Sequence, residues 1–484
     1  MNREIRRISL VVTAMFMALL VATSVIQYGT AAELQADPRN SRTFYNSFDR
    51  DRGLIITTGG DILAKSDRVD DDYSYQRVYP NGELYAPVTG YVSVIGPPSG
   101  MELTANQLLE GTADSLFWTR IQDIFTGKKP TGGAVELTID PAIQDAASSA
   151  IGDSRGAAVA VDAKTGEVLA MVSKPTFDPN KLAAHDPKAV QEEYARLEND
   201  PTHPLFNRAI GGNLYAPGST FKLITAAAAL ESGRFDSNTE LEAPKALDLP
   251  GSTAKLTNFG ESSCSASGKM TLADALKVSC NTAFGWLGME LGQDAITRQA
   301  ERFGFGQDLR IPVYVRPSTF PKNMDKPQTA MAAIGQFDDR VTPLQMAMTV
   351  GAIANGGHMM NPQLIRTERD ADLRTVAKTN PDELKRPISA STANTLKAMM
   401  IQVAEDGTAT RARVDGIQVG AKTGTAEKGE GQAPDVWTVG FGEANGRIIA
   451  VAVVVEDGGP AGVSGSGGTV VAPMVSSILK SAFP

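Results

Sequence analysis

The sequence predicts an α/β (α+β) protein in three parts: one transmembrane helix, an elongated and mostly β N-terminal segment, and a larger domain whose central antiparallel sheet is flanked by helices. Three observations carry that prediction. An uncharged apolar run lies near the N-terminus, hairpin-like apolar stretches lie at both ends of the region from Val135 onward, and Ala- and Leu-rich helical patterns lie between them.

Ile8 to Ile26 contains no charged residue. As a helix rising 1.5 Å per residue it spans roughly 28 Å, about the hydrocarbon thickness of a bilayer. Arg3, Arg6 and Arg7 precede it, so the positive-inside rule keeps residues 1–7 cytoplasmic and exports the chain beyond the helix. A cleaved signal peptide is the alternative, with Thr30-Ala31-Ala32 as a weak cleavage site. The run exceeds a signal core of roughly 7–15 residues, which favours a retained single-pass anchor over residues 8–26 in the cell membrane.

Residues 27–130 are rich in Asp, Arg, Tyr and Gly with few helical periods, and they end in a linker, Gly127-Lys-Lys-Pro-Thr-Gly-Gly133. Residues 131–484 read as one domain. Gly156 to Val161 and Glu167 to Val172 flank Asp162-Ala-Lys-Thr-Gly166, a hairpin with Gly at its turn. Val436 to Phe441 and Arg447 to Val455 flank Asn445-Gly446, the strongest two-residue hairpin signal. Helical patterns fill the middle: Phe221 to Ser232, Leu272 to Val278, Thr282 to Leu291 and Pro343 to Ala354. Pro473 opens a closing helix.

Composition excludes several functions. The net charge of −9 leaves no surplus of Lys and Arg to neutralise phosphates, so nucleic acid is not the partner. Three histidines and two cysteines are too few for a His/Cys metal cluster, and no metal or cofactor is expected. Gly458-Gly-Pro-Ala-Gly462 and Gly465-Ser-Gly-Gly468 match no strand-to-helix nucleotide pattern and read as loops. In an oxidising compartment Cys264 and Cys280 are open to two readings, a short bridge or two buried thiols.

Gly416-Ile-Gln-Val-Gly-Ala-Lys-Thr423 is one residue short of a phosphate loop. Such a loop must run into a helix N-terminus. The residues after Thr425 are poor helix formers, so Lys422-Thr-Gly-Thr425 is expected on an extended, exposed edge strand. An edge of that composition can pair with an extended peptide, offer hydroxyls and present a cation to a carboxylate, with Gly424 permitting close approach.

Ser219-Thr-Phe-Lys222 supplies a nucleophile to face it. Pro217-Gly218 halts the preceding chain and Ser219 opens the Ala-rich helix, so Ser219 and Lys222 fall at i and i+3 on one face. For Lys222 to accept the hydroxyl proton its pKa must fall from about 10.4 to near 7, a cost of about 4 kcal/mol that burial beside Lys422 can supply. Ser279 and Asn281 lie in a turn between two helical stretches, where a hydroxyl can relay a proton and an amide can hold a substrate.

Together these three stretches resemble the motif set of penicillin-binding proteins and serine β-lactamases. Glu136 to Asp140, Ser173 to Asn180, Asn207-Arg-Ala209, Gly335-Gln336 and Thr342 to Gln345 look like the transpeptidase domain of class B penicillin-binding proteins. Arg52 to Ile55, Asp61 to Ala64, Arg77 to Pro80 and Pro87 to Gly90 resemble the pedestal (dimerisation-type) region of the actinobacterial penicillin-binding protein A group. The resemblance implies a serine β-lactamase/transpeptidase-like fold and a peptidoglycan D,D-transpeptidase. Ser219 would attack the D-Ala-D-Ala end of a stem peptide with Lys222 as base, and Ser279 would relay the proton. Asn281 would orient the substrate, and Lys422, Thr423, Gly424 and Thr425 would bind its carboxylate end. By likeness the oxyanion rests on the N–H groups of Ser219 and Thr425. The resemblance also implies a Cys264–Cys280 disulfide, covalent inhibition by β-lactams, and a membrane-embedded glycosyltransferase as partner. A D,D-carboxypeptidase, a β-lactam sensor and a non-catalytic activator of such a polymerase are the alternatives.

Overall fold

A computed structural model describes residues 2–26, 48–118, 121, 125 and 131–483. The candidate cleavage site at Thr30 to Ala32, most of the linker (127–130) and much of the segment after the anchor lie outside the described residues. α1 (Asn2–Ser24) is one helix, and Arg3–Ser24 is long and apolar enough to cross a membrane. Its apolar side chains are exposed, Leu10 and Phe16 among them.

The N-terminal segment begins with β1 (Ile55–Ile56), β2 (Ile62–Arg68) and β3 (Tyr75–Val78). β1 pairs antiparallel with β2 and parallel with β4 (Ala134–Leu137), which pairs in turn with Ile365–Arg369 from the larger domain. The six-stranded sheet therefore stitches the two regions together. The segment carries more helix than its composition predicts: Gly82–Thr89, Gly100–Thr104 and Asn106–Leu109 are helical. These are one- or two-turn helices, too short to leave a periodic signal, and packing rather than propensity holds them.

At its centre Glu102 is fully enclosed. Arg52 Nε and Arg77 Nε each donate to its carboxylate at 2.6 Å, and Tyr79 Oη donates at 3.2 Å. Burial pushes this carboxyl up, but the charges of Arg77 and Arg52 and their hydrogen bonds together hold it below its ordinary value.

In the larger domain α2 (Pro141–Ile151) is capped by Asp140, whose side chain accepts from the N–H groups of Ala142 and Ile143. β5 (Gly156–Asp162) and β6 (Val168–Lys174) form the expected hairpin. α3 (Pro343–Ala354) is buried on every side, as its uninterrupted small and apolar sequence requires. Next come α4 (Ala390–Asp406), β7 (Gln418–Ala426), β8 (Asp435–Ala444), β9 (Arg447–Val455) and the closing α5 (Ala472–Ala482). Asn445 and Gly446 both take left-handed φ, 50° and 76°, as the tight β8–β9 turn demands.

The five strands form one antiparallel sheet in the order β7-β8-β9-β5-β6. α2 and α5 cover one face, α3 and α4 the other. With both faces covered, β5 and β9 read as near-continuous apolar runs rather than alternating ones. β7 is the sheet edge, as expected. It is not exposed: all its residues except Gln418 and Thr425 are buried, because the turn at Gly218–Phe221 and the Gly467–Val471 turn pack against it.

Candidate active site

Ser219 lies in a 3-10 turn, Gly218–Phe221, and the α-helix Lys222–Glu231 begins only after it. The sequence places Ser219 on the helix itself; the difference arises at Gly218, whose φ of 52° turns the chain sharply beneath Thr425. The turn is tied down on three sides. Gly218 N–H donates to Gly335 O (3.0 Å), Trp437 Nε1 donates to Ala216 O (3.1 Å), and Thr220 Oγ1 donates to Pro217 O (2.7 Å). A Cβ at Gly424 would sit 2.9 Å from Thr220 Cγ2 and 3.1 Å from Pro217 O. The closeness that Gly424 permits is therefore between β7 and the nucleophile turn, not between β7 and a bound peptide.

Lys222 is wholly buried. Its amine lies 2.8 Å from Ser279 O, 2.7 Å from Asn281 Oδ1 and 3.3 Å from Ser279 Oγ. Spacing alone points Lys222 at Ser219, yet Ser219 Oγ is not among its hydrogen-bond partners here. The backbone carbonyl and amide oxygen of the Ser279–Asn281 turn are the stronger acceptors for a buried amine. Ser279 takes a left-handed φ of 62°, which a non-glycine residue holds at a cost of about 1–3 kcal/mol. That twist brings its carbonyl, its hydroxyl and the Asn281 amide round to one point.

Strand alternation turns the Lys422 side chain inward and leaves Thr423 and Thr425 to line the cleft. Lys422 Nζ donates to Ser279 Oγ (2.8 Å) and Thr423 O (2.9 Å), so the Ser279 hydroxyl sits between two amines. Burial pushes the Lys422 amine down to about 7. Burial, and then the neighbouring Lys422 charge, hold Lys222 well below the ordinary lysine value.

Ser219, Ser279, Asn281, Thr423, Gly424 and Thr425 all line one cleft of about 610 Å³. Lys222 and Lys422 stand behind it. Cys264 and Cys280 are joined by a disulfide that fastens the Asn258–Cys264 side of the cleft to the turn carrying Ser279.

Several cleft residues escape sequence reasoning. Asn258 Oδ1 accepts from the N–H groups of Asn281 (2.9 Å) and Thr282 (3.1 Å) and so fixes the start of the helix Asn281–Leu291. It stands in a polar loop that gives no local signal. Gln336 Nε2 donates to Thr425 O (2.9 Å) and lines the cleft. Its only hint is the Gly335-Gln336 dipeptide. The loop at Gly465 to Gly468, which the sequence marks only as a loop, forms a wall of the cleft. A Cβ at Gly467 would fall 2.0 Å from Trp437 O and 2.8 Å from Gly424 O.

Residues 156–480 match the penicillin binding protein transpeptidase domain, and residues 52–135 match the penicillin binding protein A dimerisation domain. The chain belongs to the class B penicillin-binding protein transpeptidases. Over 492 aligned residues this transpeptidase is 40% identical to the peptidoglycan D,D-transpeptidase PbpA of Mycolicibacterium smegmatis, covering 100% of this chain and 99% of that one. It is equally similar to its counterpart in Mycobacterium tuberculosis, at 40% identity over the same coverage. The ceftriaxone acyl-enzyme complex of M. tuberculosis penicillin-binding protein A superposes with a TM-score of 0.87 at 38% identity, covering 91% of this chain and 100% of that one. The penicillin G acyl-enzyme of the same protein gives 0.85 at 39% identity, covering 90% and 100%.

Proposed function

We propose that this transpeptidase cross-links peptidoglycan stem peptides through an acyl-enzyme on Ser219, and that β-lactams trap it in that state. The observation that carries the reading is the convergence of one hydroxyl, two deprotonation-prone buried amines and the Ser279–Asn281 turn on a cleft walled by an edge strand. The M. tuberculosis relative, solved as acyl-enzymes with ceftriaxone and with penicillin G, supports it.

Ser219 Oγ attacks the penultimate D-alanyl carbonyl and its proton passes to the neutral Lys222 amine. A neutral amine that donates its two N–H bonds to Ser279 O and Asn281 Oδ1 keeps one lone pair for that proton. The tetrahedral oxyanion is held by the N–H groups of Ser219 and Thr425, each worth about 2.7–4 kcal/mol. As the intermediate collapses, the proton travels from Lys222 through the Ser279 hydroxyl to the departing nitrogen, and D-alanine leaves. A stem-peptide amine then attacks the ester carbonyl, its proton passes by way of Lys222 to Ser219 Oγ as the ester C–O bond breaks, and the cross-linked amide leaves Ser219 free.

Residues 8–26 anchor the chain with residues 1–7 in the cytoplasm, the segment 27–130 serves as pedestal, and residues 131–484 work outside the membrane beside a membrane-embedded glycosyltransferase. The test is mass spectrometry of the purified chain after penicillin G. A single covalent adduct on Ser219, absent in Ser219→Ala, is expected; an unmodified Ser219 near neutral pH would overturn the assignment. With a D-Ala-D-Ala donor and an amine acceptor, a cross-linked product is expected, and hydrolysis alone would mark a carboxypeptidase.

A further inference from the structure

The cleft has only two charged side chains in its lining, Arg411 and Glu427, among the described residues. By resemblance the donor's terminal carboxylate falls to Lys422, but that residue is fully enclosed, does not line the cleft and directs its amine to Ser279 and Thr423 O. The carboxylate is thus left without an accessible cation at the position the motif names.

Arg411 is exposed and sits in the short turn Thr410–Ala412 that comes after α4. Its one hydrogen bond among the described residues is a long one, from Nη1 to Thr469 O at 3.4 Å, and no carboxylate among them lies within ion-pair distance of it. It is placed at the Thr423 end of the cleft by a continuous set of contacts. Thr408 Oγ1 and Thr423 Oγ1 share a hydrogen bond of 2.7 Å. The backbone at Gly468, next to Thr469, packs between Thr408 O and Thr423 Cγ2. Glu427 stands past the other end of β7, beyond Thr425 and Ala426. The cleft is therefore polarised along the edge strand, positive beside Thr423 and negative past Thr425. A peptide bound along it is favoured with its carboxylate end at Arg411.

We propose that Arg411 is the cation that recognises the C-terminal carboxylate of the donor peptide, and the equivalent carboxylate of a β-lactam, together with the hydroxyls of Thr423 and Thr425. The assignment rests on the transpeptidase reading. A guanidinium suits the task, because it stays charged at every working pH and offers two parallel N–H bonds to a carboxylate. Arg411, Thr423, Thr425 and Ser219 line the same cleft, while Lys422 keeps to the Ser279 hydroxyl.

The test measures Ser219 acylation rates in the full-length chain with penicillin G and with its methyl ester, which differ only in that carboxylate. In the native protein the free acid is expected to react at least about tenfold faster than the ester. In Arg411→Gln the rate with the acid falls about tenfold, the rate with the ester stays within about twofold, and the acid-to-ester ratio collapses towards one. Arg411→Lys recovers part of the ratio. Equal losses with both compounds would show a merely structural role, and an unchanged ratio in Arg411→Gln would show that the charge is not read; either overturns the proposal. Absence of any adduct in the native protein would instead overturn the transpeptidase reading itself.

Discussion

In the N-terminal segment two guanidiniums, from Arg52 and Arg77, enclose one carboxylate, Glu102, with Tyr79 completing its shell. Behind the cleft two amines, from Lys222 and Lys422, enclose one hydroxyl, that of Ser279, and no carboxylate among the described residues pairs with either. Glu102 and the two lysines are equally dry, while Ser279 opens onto the cleft. In the first, opposite charges compensate for lost hydration, so the carboxylate stays ionised and the cluster fixes geometry. In the second, hydrogen bonds but no counter-charge compensate, so burial lowers both amines and favours their neutral, basic form. Dryness with a counter-ion yields an anchor; dryness without one yields chemistry.

That contrast breaks most visibly at the amine. Lys222→Ala is expected to slow Ser219 acylation by penicillin about 10²- to 10⁴-fold, the range of a general base, while the protein stays folded. Stopped-flow acylation and calorimetry check both parts. The counterpart in the pedestal is Glu102→Ala, which strands two buried guanidiniums. It should destabilise the protein by about 3–5 kcal/mol in chemical unfolding, with the acylation rate of the remaining folded molecules close to native. A loss of less than about 1 kcal/mol would mean that Glu102 does not bind the cluster together.

Lys422 sharpens the comparison through pH. Its native pKa of about 7 lies below the unfolded value of 10.5, so between those values the unfolded chain binds more protons and stability rises with pH. From pH 8.5 to 10.5 the native protein should gain about 2–3 kcal/mol relative to Lys422→Met, measured by urea unfolding at each pH. Parallel curves would show that the amine titrates normally.

Asp339 gives the smallest test. It is fully buried, neither carboxylate oxygen has a hydrogen-bond partner among the described residues, and burial raises its pKa well above the ordinary value. A raised native pKa makes stability fall as pH climbs above about 4, where the unfolded chain loses its proton first. Asp339→Asn should therefore be more stable than the native protein by about 1–2 kcal/mol near pH 7.5, with the difference vanishing near pH 4.

Much of the fold and site is legible in the sequence where local chemistry leaves no choice. Asn445-Gly446 announces its hairpin, Pro343 and Pro473 mark helix starts, and Lys422-Thr-Gly-Thr425 reads as a strand because no helix comes after it. The features that escape it are set by contacts distant in sequence. Nothing near Asn258 or Arg411 shows that they border Ser219's cleft, and alternation along β7 turns Lys422 inward only once the helical face is known. The helices Pro187–Glu198 and Gln293–Arg302 are amphipathic but bury few residues, Val190 and Leu197 in the first and Ile296, Gln299 and Ala300 in the second, which leaves a faint signal in the sequence.

The most direct test of the central claim is the pH dependence of Ser219 acylation by penicillin G in the native chain. A buried Lys222 without a counter-ion predicts that the rate rises through an inflection well below the ordinary lysine value and is flat above it. A rate that keeps climbing through about pH 10, as an ordinary lysine would impose, would contradict it.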